Sequence, residues 1–286
     1  MITLKNRLAN RHRRIMFERY LAKKRLSGEK IFYPLYSKEE IEKEPSRAFA
    51  NVIPFLIKKH APTVIVCPGG AYEFLSFNRE GGDYAKAFNK VGYNVFMLNY
   101  RVAANAHYPN PMEDLARAIC FIKAHAAAFC VNADKLVICG SSAGGHLCAY
   151  FAARYNEFET VYHNKQYSLR PSAVILSYPV ISMTEETHEI TRLRLLGLHP
   201  TPEDEKDKSV ELIADEKYPP TFFWHCEGDK TVPISNSIRL DERLTKMGVK
   251  HVFMRYPRGG HGIGLARNTT ADGWFEKAIE FLNEVL

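Results

Sequence analysis

The sequence predicts an α/β fold: a mostly parallel, eight-stranded sheet with helices on both faces and a small cap-like insert. Three observations support this. Eight short runs have the composition of strands, the later ones are apolar throughout as strands buried on both faces must be, and amphipathic helical stretches alternate with those later runs. With 286 residues, 46% of them hydrophobic and 25% charged, the chain suits one globular α/β domain. Its apolar runs fall short of the ~18 residues that a membrane span needs.

The chain opens on a basic arm, residues 1–30. Ten Lys and Arg stand against Glu18 and Glu29, a net +8 that leaves the remaining chain at −1 within the total of +7. Such an arm suits nucleic acid or an acidic membrane surface. No nucleic-acid-binding signature accompanies it, however, and Ile15, Met16, Phe17, Tyr20 and Leu21 suit a short helix docked on the body or on a second subunit of a homo-oligomer. The docked helix is the favoured reading, with neither nucleic acid nor membrane as partner. The stretch also lacks the apolar core and cleavage site of a secretion signal, so the expected compartment is the cytoplasm. Six cysteines without a C-x-x-C pair (Cys67, Cys120, Cys130, Cys139, Cys148 and Cys226) fit free thiols there.

Residues 31–286 are expected to form the body. Its strand runs are IFYPLY (31–36), NVIPFLI (51–57), TVIVC (63–67), NVFMLNY (94–100), KLVIC (135–139), SAVILSY (172–178), TFFWHC (221–226) and HVFMRY (251–256). The first two contain proline and read as edge strands or a meander. Helical periodicity covers 79–91, 111–129, 144–155, 234–247 and 271–285. The charged stretch 182–218, between two strands, is the cap-like insert.

Loops at the C-terminal ends of parallel strands gather along one edge, where ligands bind. One of them, after KLVIC, reads Gly140-Ser141-Ser142-Ala143-Gly144, a G-x-S-x-G at a strand-to-helix junction. That spacing and context describe a nucleophile elbow, in which a strained turn lifts the serine hydroxyl and a Cβ at either glycine would collide with backbone. A serine hydroxyl is a weak nucleophile at neutral pH and needs a base and an orienting acid, which follow in the order acid, then histidine. Asp229 follows TFFWHC and His261 follows HVFMRY, each on a strand-end loop. Ser142, Asp229 and His261 are therefore the expected catalytic residues. His225 reads as packing within its strand, Glu227 as too close to that strand, and His146 as a support for the turn.

Acyl transfer also needs donors for the developing oxyanion. Pro68-Gly69-Gly70-Ala71-Tyr72 follows TVIVC, and the amides of Gly70, Ala71 and Ala143 are the candidates. Tyr72, Phe74 and the 182–218 insert are expected to border the pocket, with Tyr72 the candidate substrate-binding residue. Arg101 and Asp114 read as a buried scaffolding pair. With no H-E-x-x-H or H-x-H, no dinucleotide fingerprint at Gly81-Gly82 and no phosphate loop, neither a metal nor a cofactor is expected.

The series CPGGAYEFLSFNREGGDYAKAF, LNYRVA, YPNPMEDLARAICFIKAHA, VICGSSAGGHLCAYFA, PPTFFWHCEGDKTVP and YPRGGHGIGLA resembles the α/β-hydrolase esterases of the hormone-sensitive-lipase-like type, closest to acetyl esterases and acetylxylan-esterase-like proteins acting on acylated carbohydrates. The resemblance spans roughly residues 30–286. It implies the α/β-hydrolase fold, triad roles for Ser142, Asp229 and His261, and oxyanion roles for Gly70, Ala71 and Ala143. Pro68 stands where many relatives have the His of HGGG, and Ala71 where they have its last Gly. The implied activity is hydrolysis of short-chain, acetyl esters of small acylated sugars such as xylo-oligosaccharides through an acyl-enzyme. Alternatives are a general carboxylesterase, a peptidase or amidase on the same fold, and a non-catalytic binding protein.

Overall fold

The computed structural model describes residues 18–57, 59–161 and 167–286. Of the basic arm, Lys5, Arg7, Arg11, Arg13, Arg14, Ile15, Met16 and Phe17 lie outside the described residues. Residues 18–26 are helical and lie against the body. Tyr20 stacks on Phe55, with ring centroids 4.7 Å apart, its hydroxyl donates to the Pro54 carbonyl at 3.3 Å, and Leu21 packs on the same apolar cluster.

Among the described residues, eight strands form one sheet: β1 (Tyr33–Pro34), β2 (Asn51–Phe55), β3 (Pro62–Cys67), β4 (Asn94–Asn99), β5 (Asn132–Ser141), β6 (Ala173–Ser177), β7 (Thr221–Cys226) and β8 (His251–Tyr256). Their order is β1-β2-β4-β3-β5-β6-β7-β8. Only β1 and β2 run antiparallel to their neighbours. The proline-bearing runs are therefore the edge, where a missing N–H costs no ladder bond. The run at 31–36 shrinks to two paired residues because Pro34 cannot donate and Ser37 already caps the next helix, Lys38–Lys43, with Glu40 closing a capping box.

Side chains alternate across the sheet. On β3, Val64 and Val66 join one apolar cluster and Ile65 and Cys67 the other. The helices Asn110–Ala124, Ser142–Val161 and Ser235–Lys246 contribute to the second cluster, and Asp83–Lys90 and Trp274–Val285 to the first. The chain leaves β3 for the helix Asp83–Lys90 on one face and leaves β5 for the helix Ser142–Val161 on the other, so the segments that follow these two paired strands depart to opposite sides of the sheet. That is a topological switch point, the place where an open parallel sheet forms a crevice.

Two helix boundaries differ from the expectation in ways that bear on the site. The helix expected from 144 starts at Ser142 itself and runs to Val161, so strand and helix meet without a loop. The segment expected as a helix over 79–91 begins as a π-helical turn, Phe77–Gly82, before the α-helix Asp83–Lys90. The insert 182–218 holds three short helices, Glu189–Leu196, Pro202–Asp207 and Val210–Ile213.

Candidate active site

The junction of β5 and its helix is closed by backbone. A Cβ on Gly144 would run into the carbonyls of Cys67 and Pro68, and one on Gly140 into the carbonyl of Gly144. Only glycine lets the end of β3 lie against the first turn of this helix. Ser142 holds φ at 53°, a left-handed conformation that a non-glycine residue adopts only under constraint.

His261 reaches this serine from the loop after β8. Its Nε2 lies 2.7 Å from Ser142 Oγ and its Nδ1 lies 2.7 Å from Asp229 Oδ2. The carboxylate accepts the Nδ1 proton, which leaves Nε2 as the acceptor for the serine hydroxyl. Asp229 Oδ1 accepts the amides of Thr231 at 2.9 Å and Val232 at 3.1 Å. Burial works against its charge, but hydrogen bonds from His225 and His261, the nearby His261 charge and the Thr231 amide outweigh burial and hold the carboxyl well below the usual carboxylate range.

His225 is buried in β7 as expected, but it does more than pack. Its Nε2 faces both Asp229 Oδ2 at 3.2 Å and the Val232 carbonyl at 3.0 Å, while Nδ1 lies 2.8 Å from Ser237 Oγ. Because the carbonyl only accepts, Nε2 carries the proton and donates toward the acid. Glu227 instead pairs with Arg255 at the surface, 3.1 Å away. Arg101 and Asp114 are both fully buried and bonded at 3.0 Å, a scaffold for the β4 end.

The loop after β3 turns through left-handed residues, with φ of 138° at Gly70, 58° at Ala71 and 57° at Tyr72. A Cβ on Gly70 would overlap the Phe74 carbonyl, which fixes glycine there. Among the described residues, the amides of Gly70 and Ala71 find no acceptor within the protein, and both residues line a cavity of about 320 Å³ together with Ser142 and His261. Ala143, second in its helix, has an N–H that helix geometry leaves unbonded.

Tyr72 does not border this cavity, contrary to expectation. It is fully buried, and its hydroxyl lies 3.0 Å from His146 Nδ1. His146 Nε2 donates to the Lys208 carbonyl at 2.8 Å, so Nδ1 accepts the tyrosine proton. Burial lowers the pKa of His146 to about 4 against the opposing effect of that carbonyl, and the imidazole is neutral at pH 7. The turn that frees the amides of this loop thus places Tyr72 in the core, while exposed Phe74 takes the position at the cavity.

His188 and Ile190, from the 182–218 insert, also line the cavity. Glu80, from the π-helical turn, lines it too, although it is almost fully buried. Neither His188 nor Glu80 stood out in the sequence. His188 lies in a stretch without periodicity, and Glu80 in NREGG is one acid among glycines. Among the described residues, no group of three or more His, Cys, Asp or Glu side chains is arranged to hold a metal, and no helix is long and apolar enough to cross a membrane.

The BD-FAE family pattern matches residues 52–244, more than half of the chain. The chain belongs to the BD-FAE family. Similar structures place the family member among α/β-hydrolases. The acetyl ester-xyloside bifunctional hydrolase from Caldicellulosiruptor lactoaceticus superposes with a TM-score of 0.81 at 30% identity, covering 89% of this chain and 96% of that one. The carboxylesterase Cest-2923 from Lactobacillus plantarum gives 0.72 at 25%, covering 82% and 92%. By sequence, the chain is 27% identical over 246 residues to an acetylxylan esterase of Xylanibacter ruminicola, covering 82% of this chain and 47% of that protein. It is 35% identical over 217 residues to endo-1,4-beta-xylanase B of Butyrivibrio fibrisolvens, covering 74% and 34%. The chain thus spans a third to a half of the length of these two curated relatives.

Proposed function

We propose that this BD-FAE family member is a serine esterase that hydrolyses short-chain, acetyl esters of acylated carbohydrates such as xylo-oligosaccharides. The observation that carries the reading is the continuous chain Ser142–His261–Asp229, with links of 2.7 Å, opening on a cavity that also presents the amides of Gly70 and Ala71. In this mechanism Ser142 Oγ attacks the ester carbonyl while its proton passes to His261 Nε2. The carbonyl becomes an oxyanion facing the amides of Gly70, Ala71 and Ala143. Collapse breaks the bond to the alcohol oxygen, which takes the proton from His261, and water then repeats the sequence to release acetate. Asp229 keeps the imidazole in the required tautomer and stabilises its charged form.

The carbohydrate part is supported by the acetylxylan esterase and the acetyl ester-xyloside hydrolase among the similar proteins. The similarity to a carboxylesterase favours a second reading, a general carboxylesterase with no preference for sugars. Acetate release from acetylated xylo-oligosaccharides and aryl acetates, with Ser142→Ala as control, separates the two. We expect acetylated sugars to be turned over and Ser142→Ala to be inactive on every substrate. Turnover of aryl acetates alone would remove the carbohydrate assignment and keep the mechanism.

A further inference from the structure

The oxyanion loop leaves β3 and the histidine loop leaves β8, with β5, β6 and β7 between them in the sheet. The ladder therefore does little to fix one loop relative to the other. The π-helical turn Phe77–Gly82 supplies the missing connection through two consecutive side chains. Glu80 Oε2 accepts the amide of Gly69, next to the oxyanion candidates, at 3.0 Å. Glu80 Oε1 accepts the Tyr178 hydroxyl at 2.6 Å, and that hydroxyl in turn accepts the amide of Gly264, three residues past His261, at 2.9 Å. Arg79 Nη1 donates to the carbonyl of Gly262 at 2.7 Å. The Tyr178 ring also stands edge-on to the His261 imidazole, centroids 4.9 Å apart.

A buried carboxylate is costly unless its oxygens are hydrogen-bonded, and here each oxygen is used by a different loop. Widening of one helical turn is a recurrent way to aim side chains at functional sites. We infer that Glu80 is a positioning residue: it ties the oxyanion loop to the histidine loop, so that the Gly70 and Ala71 amides and His261 keep one geometry about Ser142, with Arg79 and Tyr178 as its partners. The inference rests on the serine-esterase reading.

The test compares kcat and KM for p-nitrophenyl acetate in the wild type, Glu80→Gln, Tyr178→Phe, the double variant and Arg79→Met, with thermal melting as the check on folding. A glutamine offers one acceptor where two donors point; the Gly69 amide can only donate and takes that oxygen, so the arm to Tyr178 is lost. Since small displacements of reacting groups are costly, we expect kcat in Glu80→Gln to fall about tenfold to a hundredfold, with KM within about threefold of wild type. Tyr178→Phe should lose less, and the double variant no more than Glu80→Gln alone, because both cut the same arm. A folded Glu80→Gln with kcat within about twofold of wild type, a loss confined to KM, or additive losses in the double variant would overturn the inference. If Glu80→Gln does not fold, Tyr178→Phe and Arg79→Met decide in the same way, and unchanged kcat in both overturns it. A wild-type protein that neither turns over this ester nor forms an adduct at Ser142 defeats the esterase reading first, and the inference with it.

Discussion

At the β3–β5 junction backbone packs on backbone. Gly140 and Gly144 admit the end of β3, Ser142 is pinned in a left-handed turn, and the surrounding residues are buried. Elsewhere around the same cavity the rim is made of side chains on a turn and a short helix: Phe74 is 59% exposed, Ile190 on the helix Glu189–Leu196 is 49% exposed, and His188 stands just before that helix. The two regions share one cavity but answer to different constraints. At the junction almost any added atom collides, so the geometry of the reaction is over-determined by the chain path. At the rim most substitutions fit, so recognition of the substrate rests on a few exposed side chains that evolution can exchange without disturbing the chemistry.

The sharpest way to break this division is to alter the junction side without altering its shape. Asp229→Asn keeps the size of the side chain but removes the acceptor that holds the His261 tautomer. We expect a loss in kcat of about 10⁴-fold, measured with a small aryl ester, and no change in fold. On the rim the effect should be far smaller and of another kind. Phe74→Ala and Ile190→Ala should raise KM for bulky acylated substrates by about threefold to tenfold while leaving kcat for p-nitrophenyl acetate within about twofold of wild type. A rim substitution that cut kcat as deeply as Asp229→Asn would erase the distinction.

A third expectation concerns the link between the regions, the chain Tyr72–His146–Lys208 that joins the oxyanion loop to the insert. His146 has a depressed pKa, about 4 in the folded protein against 6.5 unperturbed. As pH falls below about 6.5 the unfolded chain takes up a proton that the folded chain refuses until about pH 4, so stability declines across that window. His146→Gln, which can keep both hydrogen bonds, should flatten this part of the urea-midpoint profile. The contribution of Asp229 has the other window: it is complete above the ordinary carboxylate range and lost as pH falls through the depressed folded value.

The same contrast explains what could be read from the sequence. The strand runs at β7 and β8 coincide with the observed strands, and the residues Ser142, Asp229 and His261 come together, because strand-end placement in a parallel sheet is set by apolar runs that any sequence shows. Tyr72 lies in the core and not at the cavity edge that the sequence suggests, because the direction of its side chain depends on three successive left-handed residues, which leave no periodic trace. Glu80 carries no local signal because its partners lie 11 and 98 residues away. For His225 the strand position was legible, whereas its contact with Asp229 required the turn at 227–232 to fold back on the strand.

The central claim is that the junction presents Ser142 as a nucleophile activated by His261. Incubation of the folded protein with a fluorophosphonate, followed by peptide mass spectrometry, tests it most directly. We expect a single phosphonyl adduct on Ser142, absent in Ser142→Ala and strongly slowed in His261→Ala. A properly folded protein that forms no adduct, or carries it on another residue, would contradict the role of Ser142 as the nucleophile.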